Sequence, residues 1–176
     1  LVACGGGAEG STSKPSATVS GDVARTAGGE AIKTADGSAV NKKAHSKWES
    51  ALAEFDANEK SGWTSSKCSA SAKSFERVSE AQGGGFAEAH YMAGLSLSRC
   101  GDSDAYELYE RALKVDSKFC KARVATGLRD MEAGRMSQAK ATFERAIQDD
   151  PQCTSGYTNL AIVQRGQGQS DEALKN

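Results

Sequence analysis

The amino-acid sequence predicts an all-α protein: helix hairpins stacked into a solenoid of about three and a half units, preceded by a disordered tether. Three observations predict it. First, Phe75-Glu76-Arg77, Tyr109-Glu110-Arg111 and Phe143-Glu144-Arg145 recur at a constant interval of 34 residues, and a fixed period of that length marks a repeat protein. Second, Ala139, Phe143 and Ala146 step by four and then three, so they share one face of a helix. Third, the punctuation fits hairpins. Gly134 stands where a left-handed residue ends one helix, and Pro151, lacking an N–H, closes the next.

Each repeat is then one helix–turn–helix hairpin, which buries its apolar face only by stacking on its neighbours. The best copy runs from Cys120 to Cys153, with Gly127, Gly134, Ala139, Phe143, Ala146 and Pro151 in register. In these residues the chain resembles the tetratricopeptide repeat (TPR) family, from about residue 44 to its end. The resemblance implies a right-handed α-solenoid whose first helices line a concave surface.

In chain order, residues 1–4 come first. Leu1-Val2-Ala3-Cys4 resembles the end of a bacterial lipoprotein signal peptide, which implies that Cys4 carries acyl chains such as palmitate. Several chains together hold a protein on a membrane firmly where one is marginal. Residues 5–43 are Gly, Ser, Thr and Ala with scattered charges. Such a segment cannot bury enough surface to offset the entropy of ordering it, so a flexible tether is expected, with a reach on the order of 30 Å. Gly5-Gly6-Gly7 and Gly28-Gly29 lack the strand–turn–helix setting of a phosphate loop.

Order is expected to begin near Asn41 to Lys47. Residues 44–86 form a degenerate first unit, in which Trp48, Ala51, Leu52 and Phe55 mark a helical face. An irregular stretch is expected over Glu59 to Ser65, about seven residues being inserted before Phe75. The second helix, near Ser66 to Ala81, stops at Gly83-Gly84-Gly85. Terminal repeats are usually atypical, so this unit reads as a cap. The repeat over residues 87–119 carries Gly94, Gly101, Ala105, Tyr109 and Ala112, with a turn one residue short and Ser117 in place of proline. The repeats over residues 120–153 and 154–176 follow. The last, with Tyr157, Leu160, Ala161, Gly168 and Ala173 in register, stops inside its second helix, so a longer protein is expected.

A net charge of −1 offers nucleic acid no basic footing, and the mixed charges read as solvated helical faces. No segment is long and apolar enough to span a membrane. Besides Cys4 the chain holds Cys68, Cys100, Cys120 and Cys153, and no CxxC. These could be four independent core residues. Repeat geometry favours two disulfides, because Cys68 and Cys100 fall on the edge of the intra-repeat turns while Cys120 and Cys153 fall on the opposite edge. An oxidising compartment permits them.

Catalytic constellations are lacking. His45 and His90 are the only histidines, and neither has a Cys or carboxylate at ligand spacing; no metal and no cofactor are expected. Asp149-Asp150 reads as part of a turn, and Glu76, Glu110 and Glu144 recur as repeat residues. A non-enzymatic protein-binding scaffold is expected instead, without a small-molecule substrate. By the TPR register, the inward positions are Tyr91, Leu95, Val124, Leu128, Met131, Thr158 and Ile162, with Arg99 and Glu132 beside them. The family's clamp for a peptide carboxyl terminus needs Lys and Asn where Tyr91 and Leu95 stand, so that mode is absent. An apolar groove suits an amphipathic helix or an extended segment of a partner, or a further helix of the same chain.

Gly62-Trp63, Arg99-Cys100-Gly101 and Phe119-Cys120 resemble features of the gliding-motility TPR lipoproteins of myxobacteria. That resemblance implies a subunit of an envelope motility complex. Glycine rather than aspartate at position 5 points to the periplasmic face of the outer membrane. A pilotin-like assembly factor for a type IV pilus secretin, or an accessory presenting substrate or cell wall to a periplasmic enzyme, are the alternatives.

Overall fold

The computed structural model describes residues 19–20, 23–24, 33–34 and 37–166. Among these residues seven helices follow one another: α1 (Lys42–Ser61), α2 (Ser65–Ala81), α3 (Ala87–Ser98), α4 (Ala105–Val115), α5 (Cys120–Glu132), α6 (Met136–Asp149) and α7 (Thr154–Gly166). They pair as antiparallel hairpins, and each hairpin packs on the next. Within the stretch read as tether, a two-rung antiparallel ladder joins β1 (Val19–Ser20) to β2 (Val23–Ala24). Cys4, Gly168 and Ala173 lie outside the described residues, as does most of the tether.

The helix ends show why the elements stop where they do. Asn41 caps α1, its side chain accepting from the Ala44 N–H at 2.9 Å, and Thr64 caps α2 in the same way. α5 ends in Gly134 at φ 73°, where the Arg135 N–H returns to the Asp130 carbonyl at 2.7 Å. This is the left-handed turn that the glycine predicts.

Two boundaries differ from expectation. Packing begins before residue 44. Val40 is buried, Asn41 donates to the Gln82 side chain and the Ala81 carbonyl, and Gln82 donates to the Ala39 carbonyl. These bonds tie residues 39–41 to the end of α2. The stretch over Glu59 to Ser65 is largely not irregular, since α1 continues to Ser61 and only Gly62 to Thr64 form the turn. The inserted residues lengthen the first hairpin because Phe55 and buried Asn58 give the last turns of α1 a packed face, with Phe55 edge-on to Trp63 at 5.0 Å.

Within the hairpins, glycine lets the helices touch. A Cβ on Gly94 would meet the Tyr109 ring at 2.7 Å, and one on Gly127 would meet the Phe143 ring at 2.5 Å. Phe75 and Phe143 are wholly buried at equivalent repeat positions. Asp149, expected in a turn, is a largely buried carboxylate clasped by Arg123 of α5 and Arg145 of α6, at 3.1 and 2.9 Å. Asp150 does hold the turn, accepting from the Gln152 N–H.

Cys68 is bonded to Cys100 with a Cα separation of 6.4 Å, and Cys120 to Cys153 with one of 5.7 Å. The first links α2 to the α3–α4 turn; the second links the start of α5 to the residue just before α7.

Candidate functional site

A cavity of about 850 Å³ opens between the hairpin α3–α4 and helix α5. α3 contributes Tyr91 and Leu95, with Arg99 at its C-terminal end; α5 contributes Val124, Leu128 and Glu132. Six of the nine residues expected to line a groove therefore gather around one space. The other three do not. Met131 turns into the core formed by α5, α6 and α7. Thr158 and Ile162 sit on the open surface of α7, where Ile162 is 45% exposed. α7 packs directly against α5, which closes the cavity there, and only Ser155 of α7 reaches its rim. The expected stripe across three repeats is thus a pocket between two.

Sequence reasoning missed the opposite wall. Tyr106 and Tyr109 of α4 and the Gly101–Ser103 turn also border the cavity, as does Arg129 of α5. Register alone assigns the lining to first helices, and the two tyrosines lie on a second helix. The shortened turn before Ala105 was the departure from register that the sequence showed there.

The chemistry of the walls is mixed. Tyr91 and Tyr109 pack ring on ring at 5.7 Å, and Tyr106 stands edge-on to Tyr109 at 6.0 Å. Burial raises the hydroxyl pKa of all three above the ordinary tyrosine value, so they remain neutral donors at physiological pH. The Arg129 guanidinium lies over the Tyr106 ring, 3.7 Å from its centroid. Arg99 is held by Glu59 near the end of α1, at 2.7 Å. Leu128 projects at the mouth, 39% exposed, while Val124 forms the floor and is buried. Apolar surface below and charged side chains at the rim suit a peptide segment better than a small polar molecule.

Neither histidine makes a catalytic site. His90 Nε2 meets Ser79 Oγ at 2.9 Å, but Ser79 is buried at 2% exposure and no substrate reaches its oxygen. Contrary to expectation, His45 does have a carboxylate one helical turn away. Glu49 lies 3.6 Å from its Nε2, but the imidazole is buried on α1 and among the described residues no third ligating group joins the pair. Among the described residues no group of His, Cys, Asp and Glu could hold a metal ion, and no helix is long and apolar enough to cross a membrane.

No family profile matches the chain, and no curated protein is similar to it in sequence. Solved structures are similar in fold. The crystal structure of MamA protein aligns with a TM-score of 0.57 at 19% identity, over 75% of this chain and 68% of that one. The second TPR domain of human RPAP3, solved in complex with an HSP70 peptide, aligns with a TM-score of 0.54 at 18% identity, over 69% of this chain and 98% of that one. At such identities the likeness concerns architecture alone. The chain has the helix-hairpin solenoid fold of TPR proteins.

Proposed function

We propose that this chain is a non-enzymatic protein-binding scaffold of the bacterial cell envelope, anchored by lipid on Cys4 to the periplasmic face of the outer membrane and serving a motility-type complex. The observation that carries the binding function is the cavity between α3, α4 and α5, with exposed Leu128 at its mouth. A concave space lined by apolar and aromatic side chains with a few polar groups at its edge supports a binding role. The human RPAP3 domain of similar fold holds a peptide, which supports a peptide segment as the occupant. Tyr91 and Leu95 form an apolar wall rather than a carboxylate clamp, so the segment engages through apolar side chains. The anchor rests on Leu1-Val2-Ala3-Cys4, and the disulfides Cys68–Cys100 and Cys120–Cys153 suit an oxidising periplasm.

A photoreactive amino acid placed at Leu128, in the full chain expressed in its own envelope, tests this. Crosslinks to an envelope protein from position 128, and none from Ala141 on α6, support the proposal. Equal labelling from both positions, or none from 128, places binding elsewhere.

A further inference from the structure

The cavity lies where the stack is thinnest: of all successive helices, α4 and α5 make the least extensive contact. The apolar core divides at the same place. One buried cluster runs from Val40 to Leu108 and another from Val124 to Val163, with no residue in common. Covalent and ionic ties follow the division. Cys68–Cys100 lies within α1–α4 and Cys120–Cys153 within α5–α7. Arg99–Glu59 and Arg111–Glu76 brace the first group, and Arg123–Asp149 braces the second. Among the described residues no ion pair joins the two groups.

The repeat itself shows the break. Arg111 reaches Glu76, which belongs to the same motif one repeat earlier, at 3.5 Å. The next rung of that ladder would be Arg145 to Glu110, across the α4–α5 junction. Arg145 instead turns to Asp149 on its own helix at 2.9 Å. What spans the junction is limited α4–α5 packing, the short linker at residues 116–119 with the Arg123 guanidinium donating to the Ser117 carbonyl, an attraction between Glu88 and Lys121, and two ring contacts. Tyr91 meets Phe119 edge-on at 5.7 Å, and Arg129 covers Tyr106. A contact of the latter kind at an exposed site shifts an equilibrium only about two- to fivefold.

We infer that the chain is a two-arm clamp, in which α1–α4 and α5–α7 are internally stapled arms pivoting at residues 116–119, with the Arg129–Tyr106 contact as the latch over the cavity between α3 and α5. Hinges of this type absorb motion in a few residues at the ends of elements, while packed blocks move as units. The inference concerns the same cavity as the proposed function but does not depend on what fills it.

Double electron–electron resonance on the full, oxidised chain without any partner tests it, so failure here leaves the binding proposal to its own experiment. Spin labels are carried on genetically encoded keto amino acids, which leaves the four bonded cysteines untouched. The exposed positions are Ala70 on α2, Lys114 on α4 and Ala141 on α6. The Ala70–Ala141 distance distribution, across the arms, is expected to be about twofold wider than the Ala70–Lys114 distribution within one arm. Arg129→Ala should move the cross-arm distribution to longer distances and leave the within-arm one in place. Equal widths, with cross-arm distances indifferent to Arg129→Ala, would overturn the clamp.

Discussion

Substituting Gly127 by alanine probes how the repeats hold together. The new methyl group would lie 2.5 Å from Phe143 Cε1 and 2.9 Å from its Cδ1 and Cζ. Phe143 is fully buried among Ala139, Ala146 and the α7 residues Leu160 and Val163, so its ring has nowhere to retreat. Overpacking of this kind costs about 1–3 kcal/mol. Against it stands the helix propensity gained when glycine becomes alanine, about 1 kcal/mol. The net expectation is a loss of up to about 2 kcal/mol, measured as a lower guanidinium midpoint of the oxidised protein by circular dichroism. In a Phe143→Leu background the ring is gone, and the same substitution should be neutral or mildly stabilising, a non-additivity that a double-mutant cycle reads directly. If Gly127→Ala alone stabilises the protein by the full propensity gain of about 1 kcal/mol, the new methyl group meets no resistance and the close-packing account of the repeat is wrong.

Three further outcomes are expected. Removing either disulfide as a Cys→Ala pair should cost about 3–4 kcal/mol, given sequence separations of 32 and 33 residues, and denaturant titration would expose an indifferent pair. Burial lowers the pKa of His90, with Arg111 adding to the effect while Glu76 and the Gly84 backbone oppose it. The unfolded chain therefore binds a proton first as pH falls. Stability from this site is full above the ordinary histidine value near 6.5 and is lost as pH drops below it towards the lower folded value. His90→Gln should flatten the slope in that window, and thermal unfolding scans across it would show whether the slope survives. Cys4→Ser in the full precursor should leave the protein without acyl chains and release it from the membrane fraction; unchanged partitioning in detergent phase separation would count against the anchor.

Much of the fold could be read from local chemistry. Gly134 and Gly101 mark helix ends because each takes the left-handed backbone that other residues resist. Gly127 and Phe143 announce a helix–helix contact through size alone. The cysteines could be matched by which edge of the stack each occupies. Other features had no local signal. Lys60 and Ser61 extend α1 without an apolar residue to mark them, and the helix persists there because Phe55 and Asn58 are packed. Val40 follows a Gly- and Ser-rich run, and it is buried in the first apolar cluster while its neighbours Ala39 and Asn41 are bonded to Gln82, about forty residues away in sequence. The candidate site was half legible. α3 and α5 residues follow from register, but a register assumes equal spacing of repeats. The loosened α4–α5 junction breaks that assumption, bringing Tyr106 and Tyr109 into the cavity and leaving Ile162 outside.

The work proposed for this chain is to hold a partner in the cavity beside Leu128. Leu128→Asp tests it most directly, since the side chain projects at the cavity mouth rather than into either core cluster. Capture of the envelope partner by the full chain should weaken at least about tenfold, equivalent to about 1.4 kcal/mol, while helical content by circular dichroism stays at the parent level. A variant that keeps its helices and captures the partner at full strength would contradict the claim.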